Sequence, residues 1–374
     1  MDFTLTDTQN ELAGLTRQIV TDLSTPDRLK TIEAAGPHYD RELYGALAQA
    51  GVLAAALPES VGGGGLDLLE QCSILVELGR GVAPVPYLTS IVVSAAAIGY
   101  FGSDELREQW ARPAADGRIV LTAALTEELS DTPEMPTTRA SRTGAGAAGE
   151  GGWTLTGSKA VVASGTVADA FLVPATTDDG VAVFIVAAGE SGVTVTPEVY
   201  VDGDLVATLE LSGVRVDDVR RFGNSDVLHW MIARAAIGLC ANQLGVLERA
   251  LELTVEYARE RKQFDRPIGS FQAVAQRLAD AYIDVEGVRL TLWEAAWRTA
   301  QGLSGPAWAT AKFWAADAGH RVAHTAVHVH GGAGIDVDAP THRYFLAAKR
   351  NEFALGSATA HLRVLGAELA ATPV

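Results

Sequence analysis

The spacing of apolar residues changes twice along the chain. Up to about residue 118, alanine- and leucine-rich segments carry few β-branched runs, and Thr6 and Gln9 stand at capping-box spacing, so the pattern predicts helices. LPESVGGGGLD (57–67) interrupts them as a glycine turn; no Gly-Lys-Ser/Thr follows, which argues against a phosphate-binding P-loop. From about 119 to 222 the period shortens. GRIVLTAALTE, GWTLTGSKAVVAS, ADAFLVPATT, GVAVFIVAA, VTVTPEV and LVATLELSGVRV are short β-rich runs separated by Gly, Asp and Pro, the pattern of a small antiparallel β domain. GAGAAG (144–149) matches G-x-G-x-x-G, but it lies between a polar stretch and a strand and reads as a hairpin loop. Beyond about 223, Ile237, Cys240, Leu244, Leu247 and Leu251 step by three and four, the stripe of a bundle helix, with further helices predicted at about 270–302, 306–331 and 341–371. The predicted fold is α+β and mainly α: N-terminal helices (1–118), a middle antiparallel β domain (119–222) and a C-terminal helical bundle (223–374).

Length supports this division, since 374 residues exceed the usual single core. The net charge of −17 and pI near 4.9 give a surface that repels phosphate backbones, so no nucleic-acid partner is expected and an anionic ligand needs a local basic pocket. Cys72 and Cys240 lie far apart in apolar sequence, as buried reduced thiols of a cytoplasmic protein do. The start MDFTLTDTQNEL has no basic leader, and apolar runs such as 91–100 fall short of the roughly 20 residues of a spanning helix, so no membrane association is expected.

That local basic pocket has a candidate. YARERKQFDRPIGSFQAV (257–274) sets Arg259, Arg261, Lys262 and Arg266 beside Phe264; alone it reads as a solvated helix end, where cations suit the dipole. AVHVHGGAGI (326–335) adds a helix ending in a glycine pair where backbone can approach a ligand, and guanidiniums with backbone amides suit a pyrophosphate. His320, His324 and His328 follow at i, i+4 and i+8, with His330 nearby, but no Glu lies between them, and no metal is expected.

These two stretches, with LPESVGGGGLDLLEQCSILVELGR (57–80) and TAALTEE (122–128), resemble in sequence and order the landmarks of acyl-CoA dehydrogenases. The resemblance covers nearly the whole chain. It implies that fold, with a four-helix bundle, in a tetramer that holds FAD at subunit interfaces and desaturates an acyl-CoA thioester. By the same resemblance Arg261, Gln263 and Phe264, with His328, Gly331 and Gly332, grip the pyrophosphate and adenosine of FAD seated largely on another chain, and Thr126 belongs to the flavin-facing loop. His328 stands where the family usually has glutamine.

The chain departs from the family at the reacting end. TEELSD (126–131) replaces Thr-Glu-Pro-x-Ala-Gly-Ser-Asp, and Val161, Val162 and Ala163 replace the Trp-Ile-Thr/Ser that packs on the flavin ring. The base that removes the proton α to the thioester is usually a glutamate before Gly-Thr-Ala; FALGSATAH (353–361) puts Leu355 there. A second family position, in LHWMIARAAIG (228–238), holds no acid, and Glu352, Asp226 and His229 are substitutes out of register. THRYFLAAKRNEFALG resembles actinobacterial sterol side-chain enzymes, α2β2 heterotetramers in which one subunit carries the base and the other completes the flavin site. The expectation is therefore a base-lacking partner subunit. The alternatives are a homotetrameric dehydrogenase with a relocated base, the same flavin fold used for an oxygenase- or oxidase-like reaction, and a flavin-free acyl-CoA-binding or structural helical protein.

Overall fold

The computed structural model describes residues 4–36, 38–130, 132–143, 151–200, 202–303 and 305–371. The first helix, α1 (Asp7–Leu23), carries the predicted capping box: the Gln9 amide donates to Thr6 Oγ1 at 3.2 Å and the Thr6 amide to Gln9 Oε1 at 2.9 Å. Then follow α2 (Pro26–Ala35), α3 (Arg41–Gln49), capped by Asp40, and α4 (Leu68–Arg80). A π-helical stretch, Tyr87–Ala95, runs into α5 (Ala96–Phe101), and α6 (Asp104–Leu106) and α7 (Arg112–Ala115) close this part. The glycine run is a turn folded onto neighbouring backbone, since a Cβ at Gly63 would lie 2.1 Å from the Leu57 carbonyl oxygen.

Among the described residues, eight strands form one sheet: β1 (Leu121–Ala123), β2 (Arg139–Thr143), β3 (Gly152–Val162), β4 (Ala170–Thr177), β5 (Gly180–Ala187), β6 (Val193–Val199), β7 (Leu205–Asp217) and β8 (Arg221–Phe222). Their order is β6-β7-β3-β2-β4-β5-β8, with β1 beside β4. Most pairings are antiparallel as predicted, but β1 and β2 each run parallel to β4. The reason is connectivity: the chain leaves β1 and β2 and reaches β4 only after β3, and a return by crossover instead of hairpin gives parallel neighbours. The core of the sheet includes Trp153, Leu155, Phe171, Phe184, Leu209 and Leu211. GAGAAG, expected as a hairpin loop, lies outside the described residues.

The described part of the chain ends in the helices α8 (Ser225–Glu260), α9 (Gln272–Ala300), α10 (Ala307–His330), α11 (Thr341–Phe353) and α12 (Ala358–Ala371). Periodicity predicted α11 and α12 as one helix, but Leu355 (φ 54°) and Gly356 (φ 96°) turn the backbone left-handed between them. Apolar spacing carries on across such a break, so the pattern hides it. By length and composition α8 is also apolar enough to cross a membrane, contrary to expectation; 78% of its most apolar window is buried inside the protein.

The chain divides into two compact units, each discontinuous in sequence: Met1–Leu29, Leu68–Ala83 and Ala236–Val374 in one, Lys30–Asp67 and Pro84–Ala235 in the other. In the first, α4 and α8 touch through backbone. A Cβ at Gly245 would stand 1.9 Å from the Val76 carbonyl oxygen, and one at Gly79 would stand 2.1 Å from that of Asn242. Arg80 fastens the crossing through Glu248 (2.9 Å) and Glu252 (2.8 Å). Gly245→Ala must therefore separate two helices, and it is expected to lower stability by at least about 2 kcal/mol, read as a fall in Tm; an unchanged Tm would refute the tight crossing.

Candidate functional site

The basic stretch ends α8 and makes a tight hairpin. Strands β9 (Lys262–Gln263) and β10 (Arg266–Pro267) pair around Phe264 and Asp265, whose φ angles are 53° and 63°. Two consecutive left-handed residues make the turn that glycine or asparagine normally fills, and strain of this kind costs about 1–3 kcal/mol per residue. The Phe264 side chain is nevertheless 86% exposed, so the strain is not repaid by burial in this chain. Arg261 and Gln263 are exposed beside it, and Arg266 lies over the Phe271 ring at 4.1 Å. The base of the hairpin is closed by the Ile268 amide donating to the Arg261 carbonyl at 2.8 Å.

The glycine pair lies at the end of α10. Gly331 (φ 62°, ψ −137°) has a conformation that side chains avoid, and its amide donates to the Val327 carbonyl. That amide is taken, which leaves less exposed backbone donor here than the sequence suggested. A Cβ on Gly331 or Gly332 would meet nothing within 4 Å, so the space beside both is open, and His328 is exposed one turn earlier. Tyr257 and His330 stack at 4.4 Å and 24°, bringing the end of α8 together with the end of α10. Guanidinium, projecting ring and open glycines can hold an anion joined to a flat ring system.

In the other unit, Thr126 is tied to β3. Its hydroxyl donates to the Ala160 carbonyl and its own carbonyl accepts from the Ala160 amide at 3.0 Å. Next to it, Glu127 accepts from Lys159 Nζ at 2.6 Å and from the amides and hydroxyls of Thr137 and Thr138. Both charged side chains are buried, Lys159 at 0% and Glu127 at 5% exposure. Burial pushes the Glu127 carboxyl up, but the hydrogen bonds from Lys159, Thr137 and Thr138 outweigh it and bring it down to about 2. Val161 follows Ala160 with φ 51°, an outlier for a β-branched residue, and remains exposed.

Leu355, expected at the position of the family's base, is half-buried and left-handed. The loop around it is held from below: Lys312 Nζ donates to the carbonyls of Asn351 (3.1 Å), Glu352 (3.2 Å) and Gly356 (3.1 Å), and His361 Nε2 donates to that of Leu355 (3.0 Å). The Glu352 carboxylate is engaged by Lys349 (2.5 Å) and by His320 Nδ1 (3.2 Å). Asp226 and His229 are exposed in the first turns of α8, in the other unit, where His229 Nδ1 bonds the Ser225 carbonyl at 2.7 Å. The His320 and His324 rings lie 4.4 Å apart, tilted by 39°, and no group of three metal-capable side chains occurs among the described residues.

Sequence reasoning missed Lys312, His361 and the Glu127–Lys159 pair. A signal existed for the first: Lys312 falls in register with Ala309, Ala315, Ala316 and Gly319 on the buried face of α10, where an ammonium requires acceptors.

The sequence and fold match known proteins. Models of the acyl-CoA dehydrogenase N-terminal and C-terminal domains match residues 6–118 and 225–370, and the chain belongs to the acyl-CoA dehydrogenase family of oxidoreductases. It is 52% identical over 383 residues to acyl-CoA dehydrogenase FadE27 of Mycobacterium tuberculosis (strain ATCC 25618 / H37Rv), with both chains covered in full. In structure it matches a chain of the ChsE4–ChsE5 complex from Mycobacterium tuberculosis (TM-score 0.96, 52% identity, both chains covered in full). It also matches a glycine-to-alanine variant of the Tcur3481–Tcur3483 steroid ACAD (TM-score 0.91, 41% identity, 97% of this chain and 98% of the other). The fold is shared at 23% identity with a glutaryl-CoA dehydrogenase from Mycobacterium smegmatis solved in complex with FADH2 (TM-score 0.88, 99% of this chain and 96% of the other).

Lys159→Met leaves the Glu127 carboxylate buried without its cation and is expected to cost about 3–5 kcal/mol in chemical denaturation; a loss below about 1 kcal/mol would refute the pair's structural role. The Glu127 value lies below the ordinary 4.5, so its contribution is complete above about pH 4.5 and is lost as pH falls toward about 2. Glu127→Gln should flatten that part of the acid-denaturation profile.

Proposed function

We propose that this chain is the base-lacking subunit of an FAD-dependent acyl-CoA dehydrogenase. In this reading it completes the FAD site of a homologous catalytic subunit in an α2β2 heterotetramer of the steroid type, in the reducing cytoplasm that its buried free thiols suit. FAD, when bound, accepts the hydride from the β carbon of the acyl thioester. The observation that carries the proposal is the loop around residue 355. It is held by Lys312 and His361 and offers leucine where the reaction needs a proton acceptor.

The nucleotide-gripping side fits FAD. Arg261 would pair with the diphosphate, the Phe264 ring would pack on the neighbouring flavin nucleotide, and Gln263, His328 and the open Gly331–Gly332 backbone would bound it. The flavin-ring side fits less well. The Thr126 hydroxyl is already bonded to Ala160, and Val161 offers no stacking surface. Glu352 is poorly placed as a substitute base because Lys349 and His320 engage its carboxylate. A complex such as ChsE4–ChsE5, in which a relative at 52% identity takes part, supports a homologous partner.

The test is FAD stoichiometry by absorbance and native mass, for the chain alone and co-expressed with a homologous acyl-CoA dehydrogenase. The expected result is almost no FAD alone and one FAD per heterodimer together, with activity only in the complex. Arg261→Ala should weaken FAD retention in the complex by about ten- to a hundredfold while leaving assembly intact. One FAD per chain in a homotetramer active on an acyl-CoA would overturn the proposal.

A further inference from the structure

Beside the tight α4–α8 crossing the packing opens into a cavity of about 320 Å³ between α1, α4, α8 and α9, lined by residues of one compact unit. That volume is at the small end of ligand cavities, which run from about 300 to 1,000 Å³. Ala13 on α1, Val76 on α4, Leu244 on α8 and Trp293 on α9 give it apolar walls.

Four charged side chains also line the cavity, and their charges cancel. Arg17 donates to Glu77 through Nε (2.9 Å) and Nη2 (2.6 Å), which engages both carboxylate oxygens. Arg289 Nη1 faces Glu248 Oε1 at 2.8 Å, and Glu248 Oε2 accepts from Arg80 Nη1 at 2.9 Å. A charged ligand would have to displace one of these partners, whereas a neutral one would not. The pairing is nevertheless incomplete. Glu248 Oε1 is buried and accepts no hydrogen bond, because Arg289 Nη1 lies close without being in line for one. A buried acceptor without a donor is costly, so this oxygen calls for an N–H or O–H that the described residues do not supply.

Gly14 adds an independent observation, since it borders the same cavity from α1. A glycine inside a helix is less favourable than alanine, and neither common reason for one applies here. The backbone at Gly14 is ordinary helix, and a Cβ there would meet nothing within 4 Å. A larger residue at this position would stand in the open space of the cavity.

We propose that this cavity is a binding site for a small neutral molecule whose apolar body packs against Leu244 and Trp293 and whose hydroxyl or N–H donates to Glu248 Oε1. The site shares no residue with the nucleotide-gripping hairpin and glycine pair, and it does not rest on the assignment of the flavin to a partner subunit.

Saturation-transfer NMR on the full-length chain tests this, with indole as the probe and N-methylindole as a ring of nearly the same shape that lacks the donor. Indole should bind saturably at one site with a dissociation constant of about 1 mM or below. N-methylindole should bind about tenfold more weakly, because the cavity has room for the methyl group but the Glu248 oxygen stays without a donor. Gly14→Leu should raise the indole dissociation constant at least about tenfold by filling the space, while Tm holds or rises because leucine is the better helix former. The comparison of the two probes on the unsubstituted chain needs no variant. Absence of saturable indole binding, equal affinity for the two probes, or a Gly14→Leu chain that binds indole as well as the unsubstituted one would overturn the proposal.

Discussion

A helix that stops inside a protein leaves carbonyls that need donors, and that requirement governs the end of the chain. α11 stops at Phe353, and Lys312 reaches from α10 to satisfy its last turn. The same turn is pinned from the side. Asn351 Nδ2 donates to Asn242 Oδ1 (2.9 Å) and Gln243 Oε1 (3.1 Å), while Gln243 Nε2 donates to the Ala315 and Ala348 carbonyls (3.2 and 3.3 Å). Gly319 admits the Gln243 amide, which would lie 2.1 Å from any Cβ there. Three helices therefore share one buried polar joint in which every member depends on the others. Residue 355 projects from that joint without joining it by its side chain, so it can be leucine while its supports cannot change freely.

The parts legible in sequence were those governed by local rules. The Thr6–Gln9 box and the apolar stripe of α8 depend on neighbours three or four residues away, and the chain displays them directly. The hairpin at Phe264 and the glycine pair were legible as motifs, although their approach through Tyr257 and His330 joins residues far apart in sequence. The joint below residue 355 was not legible. Its acceptors are backbone carbonyls, which every residue carries, so no pattern marks them. The break between α11 and α12 was hidden for a related reason: it is made by backbone angles at Leu355 and Gly356, and a leucine gives no warning of a positive φ.

Two positions share a left-handed backbone that their side chains do not favour. Val161 and Leu355, the positions expected from the resemblance to hold the family's stacking ring and its base, both have a left-handed φ, 51° and 54°. Neither valine nor leucine favours that conformation, and neither gains an evident benefit from it. What retains it is the surroundings: paired Thr126–Ala160 hydrogen bonds beside the first, and the Lys312 and His361 donors beneath the second. At both positions the strain persists because the neighbouring hydrogen bonds determine the backbone. The strained hairpin at Phe264 is different, because its ring and Arg261 remain exposed and chemically intact. The chain thus keeps an exposed guanidinium and ring at the Phe264 hairpin, while at Val161 and Leu355 hydrogen bonds made by neighbouring groups fix the backbone and the side chain takes no part in them.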